Sequence, residues 1–150
     1  MKNYTMFEIE RLVPNFFSKG AKRFFNSKIN MQQFAKYGFF ITSEKYDENA
    51  KREYTIRFFR KSSNNNYSID SASEFQEFSS LGNATKELNK IIKIIDSIIS
   101  TGGFLEKEII NKCHYITKEN DLYCLYAYVD ENEEEEKSLK LDTKNNKYTF

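Results

Sequence analysis

The sequence predicts an α+β fold with a mainly antiparallel sheet. Three observations carry this reading. There is one long amphipathic helix pattern, strand-like runs lie on both sides of it, and no strand–helix–strand alternation of the kind that builds parallel sheets occurs. The helix pattern lies in Asn83 to Gly103, where Leu88, Ile91, Ile92, Ile94, Ile95, Ile98 and Ile99 recur at helical spacing. At about 100° per residue they fill an arc of roughly 160°, with Lys86, Lys90, Lys93 and Ser97 opposite. Asn83 is the expected N-cap, and Gly102-Gly103 the expected stop. The arc is too wide for a coiled-coil seam and spans barely two heptads, so a core helix of about residues 84–100 packed on the sheet is expected.

Before this helix, Thr5-Met-Phe-Glu8 reads as a capping box opening a short helix that ends at Pro14. Asn15 to Asn26 gathers Phe17, Ala21, Phe24 and Phe25 on one side of a second helix. Asn30-Met-Gln-Gln33 is a further cap-like start, with Gly38 as the stop. Two or three short N-terminal helices follow from these signals. Phe39–Tyr46 and Glu53–Lys61 read as strands joined by the polar Asp47–Arg52 loop, Asn64–Asn66 as a turn, and Tyr67–Asp70 as a third strand. In Ser71–Ser80 the spacing of Phe75 and Phe78 favours a short helical turn, while the serines also allow an irregular strand.

Beyond the long helix, Phe104–Asn111 fits either helix or strand. Tyr115–Thr117 and Leu122–Val129 form a hairpin across Lys118–Asp121, and Ser138–Leu141 and Tyr148–Phe150 form a final one. No repeat, linker or internal boundary interrupts the chain, so residues 1–150 are expected to be one domain.

The composition supports a core rich in aromatic rings, with 14 Phe and 10 Tyr but no Trp. Lys, Asn and Ile together supply 47 of 150 residues, an excess that AT-rich codons and a low-GC genome account for without any function. A net charge of +1 conceals polarity along the chain. Residues 1–63 carry 8 Lys and 5 Arg against 6 acids, and residues 64–150 carry 10 Lys against 16 acids. No apolar run resembles a signal peptide or approaches the ~20 residues of a membrane span. With two cysteines and no secretory signal, a cytoplasmic protein with free thiols is expected.

Catalytic chemistry is poorly provided for, and the expectation is that the chain is not an enzyme. The one histidine, His114, follows Cys113, and neighbours in a strand face opposite ways. Cys124, on the adjacent strand, reaches His114 in some registers and makes a nucleophile–base pair there, with no third group to orient it. One His and two Cys lack zinc-ligand spacing, and the five glycines form neither a P-loop nor a dinucleotide fingerprint. No cofactor or metal is expected.

Binding surfaces are better represented. Strand Leu122–Val129 sets Tyr123, Leu125, Ala127 and Val129 against Leu122, Cys124, Tyr126 and Tyr128, so both faces are apolar or aromatic. Next to it lies an acidic run of Asp130, Glu131, Glu133, Glu134, Glu135 and Glu136. Exposed tyrosines anchor interfaces, and such a run suits a basic groove, including one made for nucleic acid. The expectation is therefore a small non-enzymatic binding protein, of the inhibitor or immunity type from a phage or mobile element. Its contacts are Tyr126, Tyr128 and the acids of 130–136, and its partner is a protein or protein–nucleic acid complex with a basic surface. The alternative is a nucleic-acid-binding accessory protein using Lys19, Lys22, Arg23, Arg57, Phe59 and Lys61, where cations meet phosphates and rings stack on bases.

Overall fold

The computed structural model describes residues 2–5, 28–34, 37–44, 47–61, 67–130 and 132–150. Their class is α+β. The first sheet is an antiparallel meander of β1 (Lys2–Thr5), β2 (Lys28–Phe34), β3 (Tyr37–Glu44), β4 (Glu53–Lys61) and β5 (Tyr67–Ser71), laid side by side in chain order. Two helices follow, α1 (Leu81–Thr101) and α2 (Phe104–Lys112). A second antiparallel meander then runs through β6 (Cys113–Glu119), β7 (Leu122–Tyr128), β8 (Glu136–Asp142) and β9 (Lys147–Thr149). The strands thus divide between two sheets instead of filling one. The helices intervene between β5 and β6, and β6 comes close to β4 and β5 without joining their ladder.

Two sequence expectations change here. Residues from Asn30 extend as strand β2 instead of opening a helix, pairing Met31 with Phe40 and Gln32 with Phe39. Met and Gln lean toward helix, but propensity is a weak determinant and cross-strand pairing with an apolar neighbour overrides it. Gly38 stops no helix: it sits inside β3, opposite Gln33 and Phe59. The expected helices over 5–14 and 15–26 and the Asn64–Asn66 turn lie outside the described residues, apart from Thr5 at the end of β1.

Helix α1 starts before Asn83. Ser80 is the N-cap, with extended backbone, and its Oγ accepts from the Asn83 amide at 3.1 Å. Ser80 thus replaces the expected Asn83 as the cap, and the earlier start lets Leu81 pack against the core. At the other end Gly102 adopts φ +75°, the left-handed cap that a side chain would strain. Leu88, Ile91, Ile92, Ile94, Ile95 and Ile98 are buried along one face. Full burial of each contributes about 1.5–3 kcal/mol, against about 1 kcal/mol for a cap, so packing decides that this helix forms.

That face contacts β3, β4 and α2, while α2 lies on β7 and β8. A single buried cluster results, drawing Phe39, Ile41, Ile56 and Phe58 from the first sheet and Tyr123, Leu125, Leu139 and Leu141 from the second. Segment 72–78 runs on past β5 along β4 as an irregular edge. Ser73 Oγ accepts from Ile56 N at 3.0 Å, Glu77 N closes a turn on Glu74 O at 3.2 Å, and Tyr54 and Phe78 exchange both backbone bonds.

Polar contacts tie the two sheets and α1 together. Lys118 of β6 donates to Glu77, and Thr143 Oγ1 donates to Glu87 Oε1 of α1 at 2.6 Å. Between them Tyr123 is wholly buried, with Lys118 Nζ 5.3 Å from its ring centre and no hydrogen-bond partner for its hydroxyl among the described residues. Burial, then the charges of Glu87 and Glu77, push this phenol far above the ordinary tyrosine range.

Truncating Ile95 to Ala is expected to cost about 2–5 kcal/mol and Ser80→Ala about 1 kcal/mol in denaturant unfolding. Tyr123→Phe removes an unsatisfied buried hydroxyl and should raise stability by about 1 kcal/mol at pH 7. The folded chain holds the Tyr123 proton where the unfolded phenol, near pKa 10, releases it. Stability is therefore full below about pH 10 and falls as pH rises further, and Tyr123→Phe should flatten that fall in urea titrations at successive pH values.

Candidate docking face on the second sheet

The β6–β7 hairpin closes through Asn120 and Asp121, at φ 48° and 65°, the paired left-handed conformation of a two-residue turn. This sets Glu119 opposite Leu122, Thr117 opposite Cys124, and Tyr115 opposite Tyr126. Cross-strand partners share a face. Ile116, Tyr123, Leu125, Leu139 and Leu141 therefore point into the core, and Tyr115, Tyr126, Tyr128 and Glu136 lie on the reverse side. A register shift between Cys113 and Tyr115 makes His114 an additional residue, and both His114 and Tyr115 meet the rings of β7.

The result is a row of stacked rings. His114 lies on Tyr128 with centres 4.4 Å apart and planes within 11°, and Tyr115 lies on Tyr126 at 4.5 Å and 8°. His114 and Tyr115 meet edge to face at 4.6 Å, so the four rings are continuous. Glu136 Oε2 is 3.2 Å from His114 Nε2, and its Oε1 accepts from the Tyr115 hydroxyl at 3.4 Å. Glu119 Oε1 accepts from the Tyr126 hydroxyl at 2.7 Å. That bond first, then burial and the Glu119 charge, pushes the Tyr126 phenol well up. For Tyr115 burial comes first, followed by the charge of Glu136 and the bond to it. Both hydroxyls are held as donors to carboxylates.

The acids beyond β7 form its turn into β8. Asp130 Oδ1 accepts from Glu134 N at 2.7 Å, Glu133 takes φ 58°, and Val129 N donates to Glu135 O at 3.1 Å. Glu133 through Glu136 are exposed, Asp130 is half-buried, and Glu131 lies outside the described residues. Glu135 pairs with Lys137 at 3.5 Å. Of the described members of this acidic set, Glu136 alone is brought against the tyrosines, through its place opposite Tyr128.

Tyr115, His114 and Glu119 join this face without having been expected there from the residue pattern. A two-residue Asn-Asp turn predicts Tyr115 opposite Tyr126, whereas the four-residue loop expected there hides it. The bulge at His114 has no sequence signal. The Cys124–His114 pair does not form, because the register sets Cys124 against Thr117. Both cysteines are buried and in no disulfide among the described residues, and burial pushes the Cys124 thiol up, away from nucleophilic use.

Of the basic alternative set, Lys19, Lys22 and Arg23 lie outside the described residues, as do the side chains of Phe59 and Lys61. Arg57 is held within the first sheet. It donates from Nε to Thr42 Oγ1 at 3.1 Å and from Nη1 to Ser71 Oγ at 2.7 Å, with Phe75 over its guanidinium at 5.7 Å. Among the described residues no three His, Cys, Asp or Glu gather as metal ligands, and no helix is long and apolar enough to cross a membrane.

Fold and face together define a two-sheet α+β protein whose second sheet presents an aromatic row edged by carboxylates. The chain belongs to a family described as "Family of unknown function (DUF7447)", whose model matches residues 5–89. That match covers β2 to β5 of the first sheet and the opening turns of α1, takes in only Thr5 of β1, and leaves the second sheet beyond it. No curated protein and no solved structure matches the chain. Glu119→Gln is expected to bring Tyr126 back toward the ordinary phenol pKa near 10, read as an earlier rise in tyrosinate absorbance on alkaline titration.

Proposed function

We propose that this chain is a small, single-domain, non-enzymatic binding protein of the cytoplasm, an inhibitor or immunity-type protein of a phage or mobile element. It docks the outer face of its second sheet on a basic surface of a protein or protein–nucleic acid partner. The observation that carries this reading is the row of His114, Tyr115, Tyr126 and Tyr128, half-buried by one another and edged by Glu119 and Glu136. Rings already packed side by side lose little rotamer freedom on binding, which makes tyrosines efficient anchors. The exposed Glu133–Glu135 turn adjoins them and steers a cationic surface toward the face. Small size, AT-biased composition and the lack of a catalytic constellation among the described residues support the inhibitor class.

The test is capture of the partner from the native host, followed by binding kinetics with variants. Replacing Glu133, Glu134 and Glu135 by Ser should slow association and weaken its salt dependence. Tyr126→Ala should cost about 2 kcal/mol or more of affinity. Partner binding unchanged in both variants removes this surface from consideration. A nucleic-acid role through Lys19, Lys22, Arg23, Arg57, Phe59 and Lys61 predicts instead direct DNA or RNA binding that weakens steeply with salt.

A further inference from the structure

We infer that the docking face selects arginine over lysine, so that its partner presents a guanidinium to Glu136 beside the stacked rings. This rests on the proposed docking role and specifies the chemistry of what docks.

Three features converge on a planar, forked cation. Each oxygen of Glu136 already has one partner, Oε2 with His114 Nε2 and Oε1 with the Tyr115 hydroxyl. A carboxylate oxygen offers about two acceptor directions, so one remains on each. A guanidinium carries several N–H donors in a planar fork and can reach the open direction on each oxygen, whereas an ammonium presents a point charge. The Glu136 side chain is 38% exposed, which leaves those directions accessible.

The rings supply the second feature. The His114–Tyr128 and Tyr115–Tyr126 stacks flank Glu136, and a guanidinium bound there lies against aromatic surface on which it can stack. The third is charge. On this face the described cations, Lys140 and Lys147, lie toward the β9 edge by register with Cys124 and Asp142, away from the Tyr128–Glu136 corner. Glu135 is paired with Lys137, and that corner, continued by the exposed Glu133 and Glu134, is complementary to a cationic segment.

The probes are hexa-arginine and hexa-lysine peptides, titrated at low salt into the full chain and its Glu136→Gln variant, with two-dimensional NMR reporting both affinity and location. Hexa-arginine should bind about fivefold tighter or more than hexa-lysine, with the largest shifts at Tyr115, Tyr126 and Tyr128. Glu136→Gln should erase that preference while leaving the spectrum of the core unchanged. Equal affinity for the two peptides on the tyrosine face would overturn arginine selection and leave the basic-partner reading standing. A preference that survives Glu136→Gln, or that maps elsewhere, also overturns it. Binding of neither peptide defeats both readings.

Discussion

The fold depends on the buried face of α1. Two short-stranded meanders, each apolar on one side, have no reason to stay together without a surface that both can cover. The side chains from Ala84 to Ile98 enter one cluster with the inner residues of β3 and β4, and α2 extends that cluster over β7 and β8. Burial on this scale, at about 1.5–3 kcal/mol for each large side chain, exceeds what any ion pair between the sheets contributes. The Lys118–Glu77 and Glu87–Thr143 contacts act differently. They give directional bonds to polar groups at the junction and so specify how the layers meet.

From that constraint the aromatic face of the second sheet follows. Once Tyr123, Leu125 and Ala127 are committed to the core, alternation sends Tyr126 and Tyr128 to the reverse side, and the hairpin turn sets Tyr115 beside them. The face is therefore a product of the same register that builds the interior. It combines two tendencies that seldom coexist on a solvated surface, stacked aromatic area and acceptor-rich carboxylates, and each restrains the other. The phenols orient the carboxylates, and the carboxylates hold the ring hydroxyls in place.

Legibility in the sequence tracked how local the deciding physics was. The α+β class, the antiparallel pairing and strand β4 were readable, because alternation in Glu53–Lys61 and turn residues around it are local signals. Lys28–Phe34 was not, since its extended form comes from pairing with Phe39 and Phe40, distant from its own mild helical preference. The division into two sheets depends on how α1 and α2 pack, which no residue pattern announces. At the face, Tyr126, Tyr128 and Glu136 stood out by composition alone. Tyr115 and Glu119 required the register, and His114 required a bulge beside the buried Cys113.

That bulge makes the face sensitive to chain length in a way that its chemistry does not suggest. Residues on either side of Cys113–Tyr115 belong to opposite phases of the strand, so β6 serves the core and the outer row with one count that must be kept. Deleting a single residue there restores an ordinary ladder, leaves the inner residues on their side, and removes a ring from the row. A substitution at His114 keeps that count, whereas a change of one in length rewrites the surface in a single step.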